Sequence, residues 1–300
     1  MGHRMVRAGV LDVGLEESGP EDGIPIVLLH GFPYAPRAYD AVAPRLADAG
    51  CRVVVPFLRG YGPTRFVSGA TPRSGQQAAL GADLLALLDS LGIESAALAG
   101  YDWGGRAACI VAALWPSRAR CLVTVGGYNV QDIARSGLPT DPEQEFRHWY
   151  QYYLHGRRGE AGLRSDRRRF CRLLWQLWSP TWAFDDDAFD RSAAAFDNPD
   201  FVEVVVHSYR HRFGLVAGDL ALEAIEVRLA AAPAISVPTV TLHGGDDGVA
   251  PAASSADHHS HFTGPYRREI VPGAGHNLPQ EAPAPFADAI LDLLGASPRL

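Results

Sequence analysis

Apolar and polar positions follow two regimes along this chain. In the first regime, short apolar runs alternate with helical stripes. Residues 6–17 and 24–29 read as the first strands. The continuous apolar run at 26–29, ended by His30-Gly31-Phe32-Pro33, fits a strand buried on both faces of a parallel sheet. Residues 38–49 carry Ala38, Val42, Leu46 and Ala49 at helical spacing, closed by Gly50, and 52–55 is another buried strand. Ser74-Gly75-Gln76-Gln77 then reads as a capping box. It opens a helix whose stripe is Leu80, Leu84, Leu87, Leu88 and Leu91, stopped at Gly92. A strand at 95–99, a helix at 106–115 ended by Pro116, and a strand at 121–125 continue the alternation. Strands and helices in turn predict an α/β protein, a mostly parallel sheet covered by helices on both faces.

The second regime runs from about Tyr128 to Ile235. Strand-like runs nearly vanish, and aromatic residues and arginines accumulate. Val202-Glu203-Val204-Val205-Val206 is β-like, but Asn198-Pro199-Asp200 before it suits a helix N-terminus equally well. The seven arginines within 157–172 are interleaved with Glu160 and Asp166, the pattern of a solvated helix face. Alternation resumes with strands at 238–242 and 268–271 and a helix at 283–294. The expected organisation is therefore a core domain of residues 1–128 and 236–300, with a helical cap inserted at 129–235.

Composition narrows the partners. The 300 residues are 47% hydrophobic and 20% charged, as for a globular protein with a substantial core. A formal net charge of -7 argues against nucleic acid. No apolar run reaches the ~18 residues of a membrane span, and the first residues lack the apolar segment of a secretory signal. The four cysteines show no metal-ligand spacing and read as reduced thiols, so a cytoplasmic location is expected. No cofactor or metal is called for: His258-His259-Ser260-His261 lacks carboxylate or thiol company and reads as surface.

The chemistry centres on Gly100-Tyr101-Asp102-Trp103-Gly104-Gly105, a Gly-x-nucleophile-x-Gly turn between strand and helix. Asp102 stands where such turns usually carry serine. With the loops His243 to Gly248 and Gly273 to Asn277, the chain order is nucleophile, acid, histidine, each just after a strand. A carboxylate, with an unperturbed pKa near ~4, is an anion at neutral pH. It suits attack on an sp3 carbon, forming an alkyl ester on Asp102. His276 would then draw a proton from the water that hydrolyses the ester, held by Asp247, with Asp246 as the alternative acid. Backbone N–H groups of Phe32 and Trp103 would form the oxyanion hole.

These residues, together with Gly244-x-x-Asp247 and Gly275-His276, resemble the epoxide hydrolase and haloalkane dehalogenase branch of the α/β-hydrolase fold. The resemblance spans nearly the whole chain. It implies hydrolysis of an epoxide to a vicinal diol, with lid tyrosines donating to the epoxide oxygen. Tyr150 and Tyr209 occupy the matching positions, with Tyr152 or Tyr153 as alternatives to Tyr150. His30, Trp149 and Gln151 are expected to contact the substrate, a small apolar molecule. A homodimer is compatible with the sequence.

Two other functions stay open at this point. The first is haloalkane or haloacid dehalogenation. Trp103 fits it, but Phe32 stands where many haloalkane dehalogenases have a polar residue. Fluoroacetate dehalogenases share Arg106 but place a second arginine where this chain has Trp103, so a small carboxylate would be poorly clamped. The second is a non-catalytic ligand-binding or receptor protein on the same scaffold.

Overall fold

The computed structural model describes residues 2–295; the expected core domain also takes in residues 1 and 296–300, which lie outside the described residues. The chain opens with β1 (Gly2–Ala8), β2 (Leu11–Ser18), β3 (Ile24–Leu29), α1 (Val42–Asp48), β4 (Cys51–Pro56) and the short β5 (Arg65–Phe66). Next come α2 (Gln77–Ser90), β6 (Ala96–Gly100), α3 (Asp102–Leu114) and β7 (Ala119–Val125). Between β7 and β8 come α4 (Pro142–Arg147), α5 (Trp149–His155), α6 (Arg157–Ser165), α7 (Arg167–Trp178), α8 (Asp186–Ala193), α9 (Phe201–His211) and α10 (Glu223–Ala230). The chain ends through β8 (Thr239–Gly244), β9 (Tyr266–Val271), α11 (Leu278–Glu281) and α12 (Pro283–Leu294).

The strands form one sheet in the order β1-β2-β4-β3-β6-β7-β8-β9, with β5 beside β2. Every pairing from β4 across to β9 is parallel. β2 runs antiparallel to β1, β4 and β5. The central strands are apolar throughout because both faces are covered, with α2 packed on α3 and α1 on α12. Strand order reverses between β3 and β6, so the crevice beyond their carboxyl ends is where an open α/β sheet holds a ligand.

Three local expectations change. The strand expected over 6–17 is two strands of a hairpin turned at Gly9, whose φ of 56° glycine adopts without strain. The capping box is absent: Gln76, not Ser74, precedes α2, and it makes no side-chain cap. The Gln77 side chain instead accepts from the Gln131 N–H at 2.8 Å and donates to Glu226 at 3.2 Å, so tertiary partners displace the local cap. Val202–Val206 lie in α9, where everything from Phe201 to Val206 but Glu203 is buried; the β-like composition reflects burial on most of a helix.

The helical stretch between β7 and β8 packs on the loop after β3. Trp175 stacks on Tyr34 with ring centroids 4.9 Å apart and donates its Nε1–H to the Pro33 carbonyl at 2.8 Å. The arginine run is a surface of ion pairs, including Arg168 with Asp197 and Arg172 with Asp186. His258 and His261 are half-buried rather than surface residues. His258 Nδ1 accepts from the Tyr128 N–H at 3.0 Å, and His261 stacks on the Tyr128 ring at 4.1 Å. Among the described residues no group of three His, Cys, Asp or Glu is arranged to hold a metal ion. None of the described helices is long and apolar enough to cross a membrane.

Candidate active site

Asp102 opens α3 immediately beyond β6, in the left-handed region with φ 48°. Such a conformation is unfavourable by about 1–3 kcal/mol for a side chain of this kind and is held only by its surroundings. The glycines around it contribute space. A Cβ on Gly104 would lie 2.0 Å from the Leu29 carbonyl oxygen, and one on Gly31 would lie 2.5 Å from Asp102 Cβ. The strain of the turn is thus carried by Asp102 itself, which is pushed out into the crevice.

The Phe32 N–H donates to Asp102 Oδ1 at 2.8 Å. Oδ2 faces His276, whose Nε2 stands 3.7 Å away, an electrostatic contact longer than a hydrogen bond. On its other side, His276 Nδ1 is 2.8 Å from Asp247 Oδ2. Asp247 is itself fixed, since its Oδ1 accepts from the N–H groups of Val249 and Ala250 at 2.9 and 2.8 Å. Asp246, one residue earlier, is exposed, so Asp247 is the carboxylate that reaches the imidazole. Trp103 follows Asp102 in the first turn of α3, where backbone N–H groups lack intrahelical partners.

Burial alone would lower the His276 pKa, but Asp247 and Asp102 on its two sides outweigh it and raise the pKa to about 10. Burial pushes Asp102 upward; His276, Arg106 and the Phe32 N–H together bring it below the usual carboxylate range. The resting pair is therefore carboxylate and imidazolium.

Across the crevice, Tyr150 of α5 and Tyr209 of α9 meet edge to face with centroids 5.3 Å apart. Tyr209 packs on Phe32 at 5.5 Å and Trp103 at 6.2 Å, and Tyr150 packs on Trp178 at 4.9 Å. Trp178 in turn covers His276 at 5.1 Å. Burial raises both hydroxyl pKa values, that of Tyr150 to about 12, where the field of Arg212 partly offsets it. Tyr152 points outward to Glu145, and Tyr153 packs with Trp149 and Phe170, so neither replaces Tyr150.

The three expected substrate contacts separate. Gln151 is buried behind Tyr150 and donates Nε2–H to its hydroxyl at 3.0 Å. Trp149 packs against Tyr153 and Phe170 and meets the site only through the edge of Tyr150. His30 has both ring nitrogens engaged within the protein: Nε2 accepts from the Leu58 N–H at 3.1 Å and Nδ1 contacts the Gly31 carbonyl at 3.0 Å. With both nitrogens engaged and burial lowering its pKa to about 4, it is a neutral brace for the loop carrying Phe32.

A supporting layer escaped the sequence reading. The Trp178 carbonyl, at the end of α7, accepts from the Gly248 N–H at 2.9 Å and the His276 N–H at 3.2 Å, tying the acid loop to the histidine loop. Glu281 accepts from Ser179 Oγ at 2.6 Å and from the N–H groups of Gly275 and Asn277 at 2.7 and 3.0 Å, bracketing His276. A carboxylate five residues beyond the histidine was the available signal, but a backbone carbonyl contact leaves no mark in sequence.

A strained acid at the strand-to-helix turn, with a histidine and second acid from later loops, matches a known scaffold. The profile of the alpha/beta hydrolase fold covers residues 24–283. This chain belongs to that family. Within it, the hydrolase is 46% identical to a Klebsiella pneumoniae protein whose crystal structure is described as a candidate epoxide hydrolase; the match covers 97% of this chain and 96% of that one, with a TM-score of 0.95. It is 29% identical to epoxide hydrolase A of Mycobacterium tuberculosis, over 97% of this chain and 96% of the relative. The crystal structure of epoxide hydrolase A from Mycobacterium thermoresistibile superimposes with a TM-score of 0.74 at 26% identity, covering 99% of each chain.

Proposed function

We propose that this α/β-hydrolase opens an epoxide to a vicinal diol through an ester on Asp102, with residues 129–235 acting as the cap that closes over the substrate. The observation that carries the reading is that Tyr150 and Tyr209 meet edge to face beside the Asp102 turn, Tyr209 packed on Phe32 and Trp103 and both hydroxyls within the field of the Asp102 carboxylate. The full-length similarity to proteins named epoxide hydrolases supports it.

With Oδ1 held by the Phe32 N–H, Oδ2 is the attacking atom. It forms a bond to an epoxide carbon as the ring C–O bond breaks, and the leaving oxygen takes a proton from Tyr150, assisted by Tyr209. Esterification removes the negative charge of Asp102, one of the groups that keep His276 protonated. The imidazolium then yields its proton, which restores the tyrosine, and neutral His276 becomes a base. It deprotonates a water attacking Cγ, Asp247 stabilises the new imidazolium, and Oδ1 carries the developing charge between the Phe32 and Trp103 N–H groups. Collapse breaks the bond from Cγ to the substrate oxygen; that alkoxide takes the proton of the new carboxyl group, releasing the diol and leaving the Asp102 carboxylate and the His276 imidazolium of the resting state.

Phe32, Trp103 and Trp178 give the crevice apolar walls, in keeping with a small substrate whose reacting end is apolar. Four buried free cysteines support a cytoplasmic enzyme. One observation favours dehalogenation as a second reading: the buried Trp103 Nε1–H has no acceptor among the described residues and could hold a halide.

Turnover of a panel of terminal and disubstituted epoxides and of haloalkanes, read as diol and as halide, decides among these. Diol formation lost in Asp102→Asn is the expected outcome. Halide release without diol would install the second reading, and binding without turnover of either class would make the protein a receptor.

A further inference from the structure

Two arginines stand near Asp102 and the tyrosine pair. Arg106 lies one helical turn beyond Asp102 and is buried; its Nε donates to the Asn129 carbonyl at 3.2 Å. Arg212 follows α9, with Cζ 4.8 Å above the Tyr209 ring and Nη1 donating to Gln151 Oε1 at 3.2 Å. With its amide oriented to complement that guanidinium, Gln131 turns its oxygen toward Arg212 Nε and Nη2.

Neither arginine forms an ion pair with a carboxylate among the described residues, which sets them apart from their neighbours. Arg59, as deeply buried as Arg106, is held by both oxygens of Asp83 at 2.6 and 2.7 Å. Arg210, two residues before Arg212, pairs with Glu160 at 3.0 Å. After burial, Arg212 is the largest influence lowering the Arg106 pKa to about 10, so the two cations feel each other. A cation withdrawn from water without a counter-charge is destabilising. The anion nearest to hand is Asp102, whose charge disappears when it becomes an ester. Arg212 and Gln151 are also part of the wall of an open groove of about 650 Å³, shared with Arg135 and His148 and with the carboxylates Asp132 and Glu145, and their other sides touch Tyr209 and Tyr150.

We propose that Arg212, with Arg106 behind it, binds a carboxylate on the substrate, so that the preferred substrate is an epoxide with an apolar reacting end and an anionic tail. This rests on the epoxide reading above and narrows it. A carboxylate matches the guanidinium fork, displaces the amide oxygens of Gln131 and Gln151, and keeps the site neutralised while Asp102 is esterified.

The test compares 6,7-epoxyheptanoate with 6,7-epoxyheptanamide, alike in length and differing in charge. The proposal expects the acid to have the higher kcat/KM by about 10-fold or more, as for hydrogen bonds to a charged group. That ratio should fall toward one in Arg212→Gln and recover in part in Arg212→Lys. Equal kcat/KM for acid and amide in the wild type, or a ratio untouched by Arg212→Gln, overturns it while leaving the epoxide reading intact. If neither epoxide turns over, the epoxide reading fails instead. Calorimetric binding of pentanoate against pentanamide to the wild-type protein then decides the anion site alone. It also decides if the Arg212 variants do not fold: preference for pentanoate upholds the site, and equal or absent binding of both removes it.

Discussion

Replacing Tyr150 by phenylalanine separates the two chemical steps, because its hydroxyl is needed while the epoxide oxygen leaves and not while the ester is hydrolysed. The hydroxyl accepts from Gln151 Nε2 at 3.0 Å, so its own proton is directed away from Gln151 and into the crevice. Losing one hydrogen bond to a developing charge removes ~1.5–3 kcal/mol. At 1.36 kcal/mol per tenfold, alkylation slows by about 10- to 150-fold. Tyr209→Phe should slow it less, because it is the Tyr150 hydroxyl that Gln151 holds in place. Tyr150→Phe also strands the buried Gln151 N–H, so stability falls by ~1–3 kcal/mol and must be measured alongside by urea unfolding. Trp103 beside Asp102 and Trp178 against His276 provide the signal: stopped-flow tryptophan fluorescence with enzyme in excess follows ester formation and then its decay. Slower formation with decay within about 3-fold of wild type is expected. An unchanged formation rate, or a loss confined to decay, would refute the assignment of Tyr150 as proton donor.

Further predictions concern the scaffold and the charges. Gly104→Ala places a Cβ 2.0 Å from the Leu29 carbonyl oxygen and 2.6 Å from that of His30, so the urea midpoint should drop by the equivalent of ~1–3 kcal/mol or more; an unchanged midpoint contradicts the close approach. Nitrogen-15 NMR should find the His276 imidazole titrating near about 10 in the resting enzyme and lower in Asp102→Asn; titration below 7 in the wild type would dismiss the ion-pair description. Since the folded-state pKa is raised above the unfolded value of ~6.5, His276 contributes its full stabilisation below ~6.5. That contribution is lost as pH rises toward about 10, and His276→Asn should flatten this part of the stability profile. Gly275 and Asn277 donate to different oxygens of Glu281, so Glu281→Gln turns an amide N–H₂ toward one of these two donors and ester hydrolysis should slow ~10-fold or more with alkylation little changed; equal slowing of both steps would mean a general loss of structure.

Periodicity carried the core well, because strands covered on both faces leave an unbroken apolar run, as at Ile26–Leu29, and each ends in a loop with distinctive residues. It failed where burial imitates another pattern or where partners are remote. The valines of α9 read as strand because most of that helix is covered, and Gln77 was given a local partner in place of Glu226, 149 residues away. The choice between Asp246 and Asp247 needed the backbone donors of Val249 and Ala250, since neighbouring residues point in different directions in a turn. Histidine chemistry was legible only in outline. His30 and His276 look alike in sequence, yet the backbone engages both nitrogens of one, while two carboxylates flank the other. Arg212 drew no attention because its meaning lies in a carboxylate that no neighbour provides, whereas Arg210 beside it is paired.

The central claim is that Asp102 itself becomes the ester and is hydrolysed at its own Cγ. A single turnover in heavy-oxygen water, with enzyme in excess over epoxide, followed by mass spectrometry of the peptide carrying Asp102, tests it directly. The account predicts one heavy oxygen in the Asp102 carboxylate and an unlabelled diol after the first turnover. Label in the diol with an unlabelled Asp102 would show water attacking the epoxide directly, and would contradict it.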